Sequence, residues 1–104
     1  LGQHHHFHHF NPGKSKYAED RFFENSVRVY KVLDKILEKN IFLAGDNYSI
    51  ADISTFPWIA RHEWHDIGLK NYKNLCRWYT TISIRPAVKK GFDCLNTGEK
   101  IPNI

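Results

Sequence analysis

The stretch Gly45-Asp46-Asn47-Tyr48-Ser49-Ile50-Ala51-Asp52-Ile53 limits the fold of this chain more than any other part of it. Ser49 is followed three residues later by Asp52. In that pattern the hydroxyl accepts a backbone N–H of the first helical turn, and the carboxylate accepts the N–H of the cap itself. Asp52 also stands near the positive end of the helix dipole. Tyr48, one residue before the cap, is positioned to pack on Ile53 as a hydrophobic staple. Such a capping box is structural: it nucleates a helix and does not react. The helix it starts, predicted from Ser49 to about Asp66, carries few charges before Arg61 and should be central and buried. Pro57 lies inside it, so a bend or a tightened turn is predicted there.

The rest of the chain also reads as helix. From Lys16 to Asn40, Phe23, Val27, Tyr30, Leu33 and Leu37 recur at three- and four-residue spacing and share one face. Phe22, Val29, Val32 and Ile36 widen it, the mark of a helix with more than one packing partner. A further helix is predicted from about Asn71 to Ile84, with Tyr72, Leu75, Cys76, Tyr79 and Ile82 inward. Arg85-Pro86 ends it, and Pro86 suits the first turn of a short helix reaching about Cys94. Leu1 to Phe10 reads as a helix end or an extended arm, broken by Asn11-Pro12-Gly13. No segment alternates with period two for long enough to be a strand. The expected fold is an all-α helical bundle over residues 1–95, followed by an irregular tail, 96–104.

Composition narrows the classes of function. Of 104 residues, 41% are hydrophobic and 25% charged, the balance of one folded domain. The formal charge of +4 is mild, and no clustered Lys/Arg face accompanies it, so nucleic acid is not an expected partner. No apolar run is long enough to span a bilayer, and no membrane partner is expected. Cys76 and Cys94 match no zinc or Cys-x-x-Cys spacing, and a sparse pair fits a reducing compartment. Cys76 falls on an inner helix face and reads as a small buried hydrophobe.

Leu43-Ala44-Gly45-Asp46 running into Ser49-Ile50-Ala51-Asp52 resembles the capping signature of the C-terminal domain of glutathione transferases. Trp78 and Arg85-Pro86-Ala87 fit the same family. Gly2-Gln3, His6-Phe7, Tyr17, Arg21 and Phe56-Pro57-Trp58 resemble its bacterial nu-class branch, similar to disulfide-bond reductases. The resemblance implies a helical domain whose thioredoxin-like N-terminal partner domain is absent from this chain. It implies glutathione as co-substrate, a cytoplasmic homodimer, and a small electrophilic or disulfide substrate. It implies no catalytic residue here, so the domain alone should be nearly inactive. Arg21 would reach the glutathione held by the opposite subunit, a planar guanidinium against a carboxylate. Its structural alternative is a solvated ion pair with Glu24 or Glu19. Gln3 and His6 would help place glutathione, and Phe7 and Trp58 would line the substrate pocket. The alternative function is a non-catalytic helical interaction module of the same superfamily.

The run His4-His5-His6-Phe7-His8-His9 invites a metal site, since His4 and His8 share a face if the segment is helical. No cysteine or paired carboxylate completes a coordination set, so no metal is expected. An expression tag would normally be uninterrupted, and Phe7 intrudes. Trp58, Trp64 and Trp78 read as core or cleft-wall aromatics.

Overall fold

A computed structural model describes residues 1–104. It is helical throughout, with no strand beyond one isolated bridge between Phe42 and Gly45. Helix α1 (Gly2–His4) runs directly into a π-helical turn, His5–Phe10. The long α2 (Lys16–Lys39) starts at Ser15, whose hydroxyl accepts the Ala18 N–H at 3.2 Å. Helices α3 (Ile50–Ile59) and α4 (His62–His65) follow, then a 3₁₀ turn, Leu69–Asn71. Helices α5 (Lys73–Ser83) and α6 (Pro86–Phe92) complete the set.

The core lies where α2, α3 and α5 meet. Tyr30 and Leu37 of α2, Phe56 and Ile59 of α3, and Leu75, Trp78, Tyr79 and Ile82 of α5 are all buried. Each fully buried aliphatic side chain there contributes about 1.5–3 kcal/mol. Of the face expected on α2, Val27 and Leu33 are half-buried and Phe23 stays exposed at its edge. Val29, Val32 and Ile36, which widen that face, remain exposed.

Polar side chains tie helix ends to neighbouring helices. Asp34 of α2 accepts the N–H groups of Asn74 and Leu75 at 2.8 and 2.9 Å, taking up donors at the start of α5. Arg77 of α5 returns the favour at the end of α2, donating to the carbonyls of Leu37 (2.8 Å) and Asn40 (3.1 Å). At the start of α3 the capping box closes. Ser49 Oγ accepts from Ala51 N–H at 3.3 Å, and Asp52 accepts from Ser49 N–H at 3.0 Å. Asp52 is also a tertiary hub. Its Oδ1 accepts the indole N–H of Trp78 at 2.7 Å and the backbone N–H of Leu43 at 3.1 Å, in a setting closed to solvent.

Several expectations need correcting. The helix from Ser49 does not run to Asp66. It ends at Ile59, where Arg61 N–H turns tightly back to the Trp58 carbonyl at 3.2 Å, and a separate α4 follows. Ile59 and His65 are both fully buried. On one straight helix, positions six apart point about 120° away from each other, so burying both in one core requires a change of direction. Asp66 then stops α4 in the left-handed region, at φ 58°. Nor is α3 buried all round. Ile50, Ile53, Pro57 and Trp58 are exposed, because Asp52, Phe56 and Ile59 fix which side faces inward. Tyr48 stacks edge-on against Phe42 and beneath Arg85. Helix α5 starts at Lys73, after the 3₁₀ turn, and α6 ends at Phe92. Trp78 is core, whereas Trp64 is half-buried and Trp58 exposed.

Residues after Phe92 form no helix, yet they are fastened down. Asp93 Oδ1 accepts the N–H groups of Thr97, Gly98 and Glu99, and the Tyr79 hydroxyl donates to the Pro102 carbonyl at 2.6 Å. Burial pushes the Tyr79 phenol up to about 12, so it stays a donor.

Candidate functional site

The N-terminal helical segment lies across α2 and α4 and divides an open face into two grooves. On one side, Gln3 and His6 line a groove of about 470 Å³ with Phe22, Asn25, Ser26 and Val29 of α2. On the other, Leu1 and Gly2 border a groove of about 450 Å³ with Val29, Leu33, Thr55 and Trp58. A methyl group at Gly2 would stand 3.6 Å from the Trp58 indole, ordinary contact distance, so this crossing is close but not strained.

The sequence-predicted residues distribute over this face as follows. Gln3 and His6 share the first groove. Phe7 stacks on Phe22 with ring centroids 5.6 Å apart, which secures the segment to α2. Trp58 belongs to the second groove and is 48% exposed. Arg21 sits one turn before Asn25 on α2 and is exposed. It forms no ion pair with Glu19 or Glu24; the chain's pairs are Lys16–Asp20 and His8–Asp66. Glu19 instead accepts the Gly13 N–H at 2.6 Å. Ser49 and Asp52 stand apart from the grooves, in the capping box.

Beneath the face lies a cluster that sequence reasoning missed. The Tyr30 hydroxyl meets His65 Nδ1 at 2.6 Å, and His65 Nε2 meets His5 Nε2 at 2.6 Å. His4 Nε2 donates to the His65 carbonyl at 2.7 Å. These four residues are buried. The phenol has no other acceptor, so it donates to His65 Nδ1. His65 then carries its proton on Nε2 and donates to His5, which must hold its own proton on Nδ1. Burial is the main force on each imidazole: it holds His65 at about 3 and lowers His4 and His5, so all three are neutral near pH 7. Burial likewise pushes the Tyr30 phenol upward. The one local signal was the His4–His8 spacing, which does bring those rings into a stack 4.9 Å apart. Their long-range partners, Tyr30 and His65, carry no sequence pattern.

The cluster does not form a metal centre: no group of three or more His, Cys, Asp or Glu side chains is arranged to hold one. Both cysteines are free thiols. Cys76 donates to the Leu69 carbonyl at 3.0 Å, and burial raises its pKa, which disfavours the nucleophilic thiolate.

Residues 3–86 match the family model described as glutathione S-transferase, C-terminal domain. This chain belongs to the glutathione S-transferase family, as its C-terminal helical domain. Among curated relatives it is 42% identical over 87 residues to the disulfide-bond oxidoreductase YfcG of Escherichia coli, covering 84% of this chain and 40% of that protein. It is 40% identical over 95 residues to the disulfide-bond oxidoreductase YghU of the same organism, covering 83% of this chain and 32% of that protein. Among solved structures, a glutathione transferase from Burkholderia graminis, with two glutathione molecules bound per subunit, superposes with a TM-score of 0.84 at 34% identity. That match covers 93% of this chain and 43% of the other. The chain therefore spans less than half the length of these relatives. The all-α reading and the family resemblance both hold. No helix is long and apolar enough to cross a membrane.

Proposed function

We propose that this domain completes a glutathione site whose catalytic half lies on a thioredoxin-like domain outside the chain. The full-length protein would be a cytoplasmic homodimer of the nu-class branch, using glutathione to reduce a disulfide or to attack a small electrophile. The observation that carries the reading is the open face itself. Two grooves flank one helical segment, and Arg21, exposed one turn before the Asn25 of the first groove, has no ion-pair partner in its own chain.

Each residue then has a physical task. Arg21 offers paired N–H donors to a glutathione carboxylate held by the other subunit. Gln3 supplies an amide and His6 an imidazole to the tripeptide's polar backbone. Trp58 gives the second substrate an apolar wall in the second groove, and Phe7, packed on Phe22, backs the first. The buried Tyr30–His65–His5 relay fixes the helical segment that carries Gln3, His6 and Phe7, so those side chains are presented from a rigid support. No nucleophile is needed from this domain, in keeping with the raised pKa of Cys76.

Calorimetric titration of glutathione, with assays of disulfide reduction and conjugation, tests the division of labour. Residues 1–104 alone should bind glutathione no better than millimolar and turn over neither substrate class. The full-length protein should bind and react. Activity of the isolated domain close to that of the full-length protein would overturn the proposal, and an inert full-length protein would favour a non-catalytic interaction module.

A further inference from the structure

The helical segment that divides the two grooves is not held down as the core helices are. Helices α2, α3 and α5 each bury apolar side chains. The segment from Gly2 to Phe10 buries only His4 and His5, and α4, which it lies across, buries only His65. Its attachment therefore rests on imidazoles. Phe7 on Phe22 and His9 on Trp64 are stacked contacts around them, none of the four rings fully buried.

The buried relay has no room for another proton. It holds one proton in each of its two gaps of 2.6 Å, Tyr30 to His65 and His65 to His5. The free basic nitrogens are His65 Nδ1 and His5 Nε2, and each already faces a donor. A proton added to His5 sets two N–H groups against each other. Moving the His65 proton to Nδ1 relieves that conflict, but the Tyr30 hydroxyl must then accept, and its own proton has no partner. His4 offers no better place: its Nε2 is committed to the His65 carbonyl, and its Nδ1 is buried without a partner.

The surroundings do not balance a buried charge either. On the segment itself the relay faces His8, His9 and the Leu1 amino group; around α4 it faces Arg61 and His62. From α3 it meets the uncharged Trp58, and from α5 and the turn before it Tyr79 and Tyr72 lie near Tyr30. The carboxylate that faces the cluster, Asp66, is already 3.2 Å from His8, and three-quarters of its side chain is in water.

We propose that His4, His5 and His65 form an acid-sensitive latch, in which an added proton releases residues 2–10 from α2 and α4 while the core helices stay folded. Release removes the wall that the two grooves share. That it also weakens glutathione binding rests on the function proposed above; the release itself does not. The sign follows from burial, which holds all three imidazoles below their ordinary range. Above about pH 6.5 the latch is shut and insensitive to pH. Below it, each histidine set free multiplies the ratio of open to closed segment by up to about tenfold per pH unit.

The test is amide hydrogen exchange on the full-length protein from pH 7.5 to 4.5, with rates corrected for the intrinsic effect of pH. Protection over residues 5–10 should fall at least tenfold between pH 6 and 5 and reach half-open or beyond by about pH 4.5. The amides from Trp78 to Ile82 in α5 should stay at least tenfold better protected throughout. His5→Gln keeps an acceptor for His65 but cannot take up a proton, so the fall between pH 6 and 5 should shrink at least threefold. Glutathione affinity, measured by calorimetry over the same range, should drop in proportion to the closed fraction; its carboxylates remain largely ionised there. Protection that ignores pH, that falls in step with α5, or that falls equally in His5→Gln would overturn the latch and leave the glutathione reading of the grooves standing. A segment that opens with glutathione affinity unchanged would support the latch and overturn that reading instead.

Discussion

Helix α3 has two sides that could hardly differ more. Inward, Asp52, Phe56 and Ile59 are buried, and every donor around the Asp52 carboxylate finds an oxygen. Outward, Ile50 is 82% exposed, Ile53 54% and Trp58 48%. One side holds this domain together. The other leaves apolar surface in water, joined through Trp58 to the grooves and to the exposed Val29 of α2. Contiguous exposed apolar surface marks a place of contact, and here it adjoins the face proposed to complete a glutathione site. A single ten-residue element is thus packed into the core on one side and presents apolar surface to water on the other.

The sharpest way to break that contrast is Asp52→Ala. It strands the N–H groups of Leu43, Ser49 and Trp78 together, and should cost about 3–5 kcal/mol of unfolding free energy in urea titrations. A loss under about 1 kcal/mol would mean that the inner side is held by packing alone.

The next effect concerns the buried histidines. His65 is held at about 3 in the folded chain against an ordinary value of 6.5. Between those values the unfolded chain binds a proton that the folded one refuses. Its contribution to stability is therefore complete above about pH 6.5 and is lost as the pH falls toward 3, by up to about 1.4 kcal/mol per pH unit. Lowered values at His4 and His5 act with the same sign. Urea midpoints should fall steadily below about pH 6.5; midpoints flat from about pH 7 to 4.5 would mean that the relay takes up protons without opening.

These two buried centres also differ in how legible they were. Asp52 was visible because its first partner, Ser49, lies three residues away and the spacing is itself the signal. Its second role, as acceptor for Trp78, spans 26 residues and left no local trace. His65 bonds to His5 and Tyr30 across 60 and 35 residues, so nothing short-range distinguishes it from a surface histidine. Helix periodicity located α2 to within a residue but not its exposed stripe, since a broad apolar face says that partners exist without saying whether they are in the chain. The break after Ile59 was missed for a related reason: Pro57 signals a disturbance, but its place was set by the need to bury both Ile59 and His65.

The smallest expected effect belongs to the outward side. Trp58→Ala in residues 1–104 should change stability by about 1 kcal/mol or less, since half of the side chain already faces water. A loss as large as that of Asp52→Ala would erase the distinction between the two sides of α3.

The claim that the open face is half of a shared glutathione site is tested most directly at Arg21. In the full-length protein, Arg21→Ala should weaken glutathione binding about tenfold or more, equivalent to about 1.4 kcal/mol, measured by calorimetry, while the urea midpoint stays where it was because Arg21 has no partner in its own chain. Unchanged glutathione affinity in that variant would contradict the account.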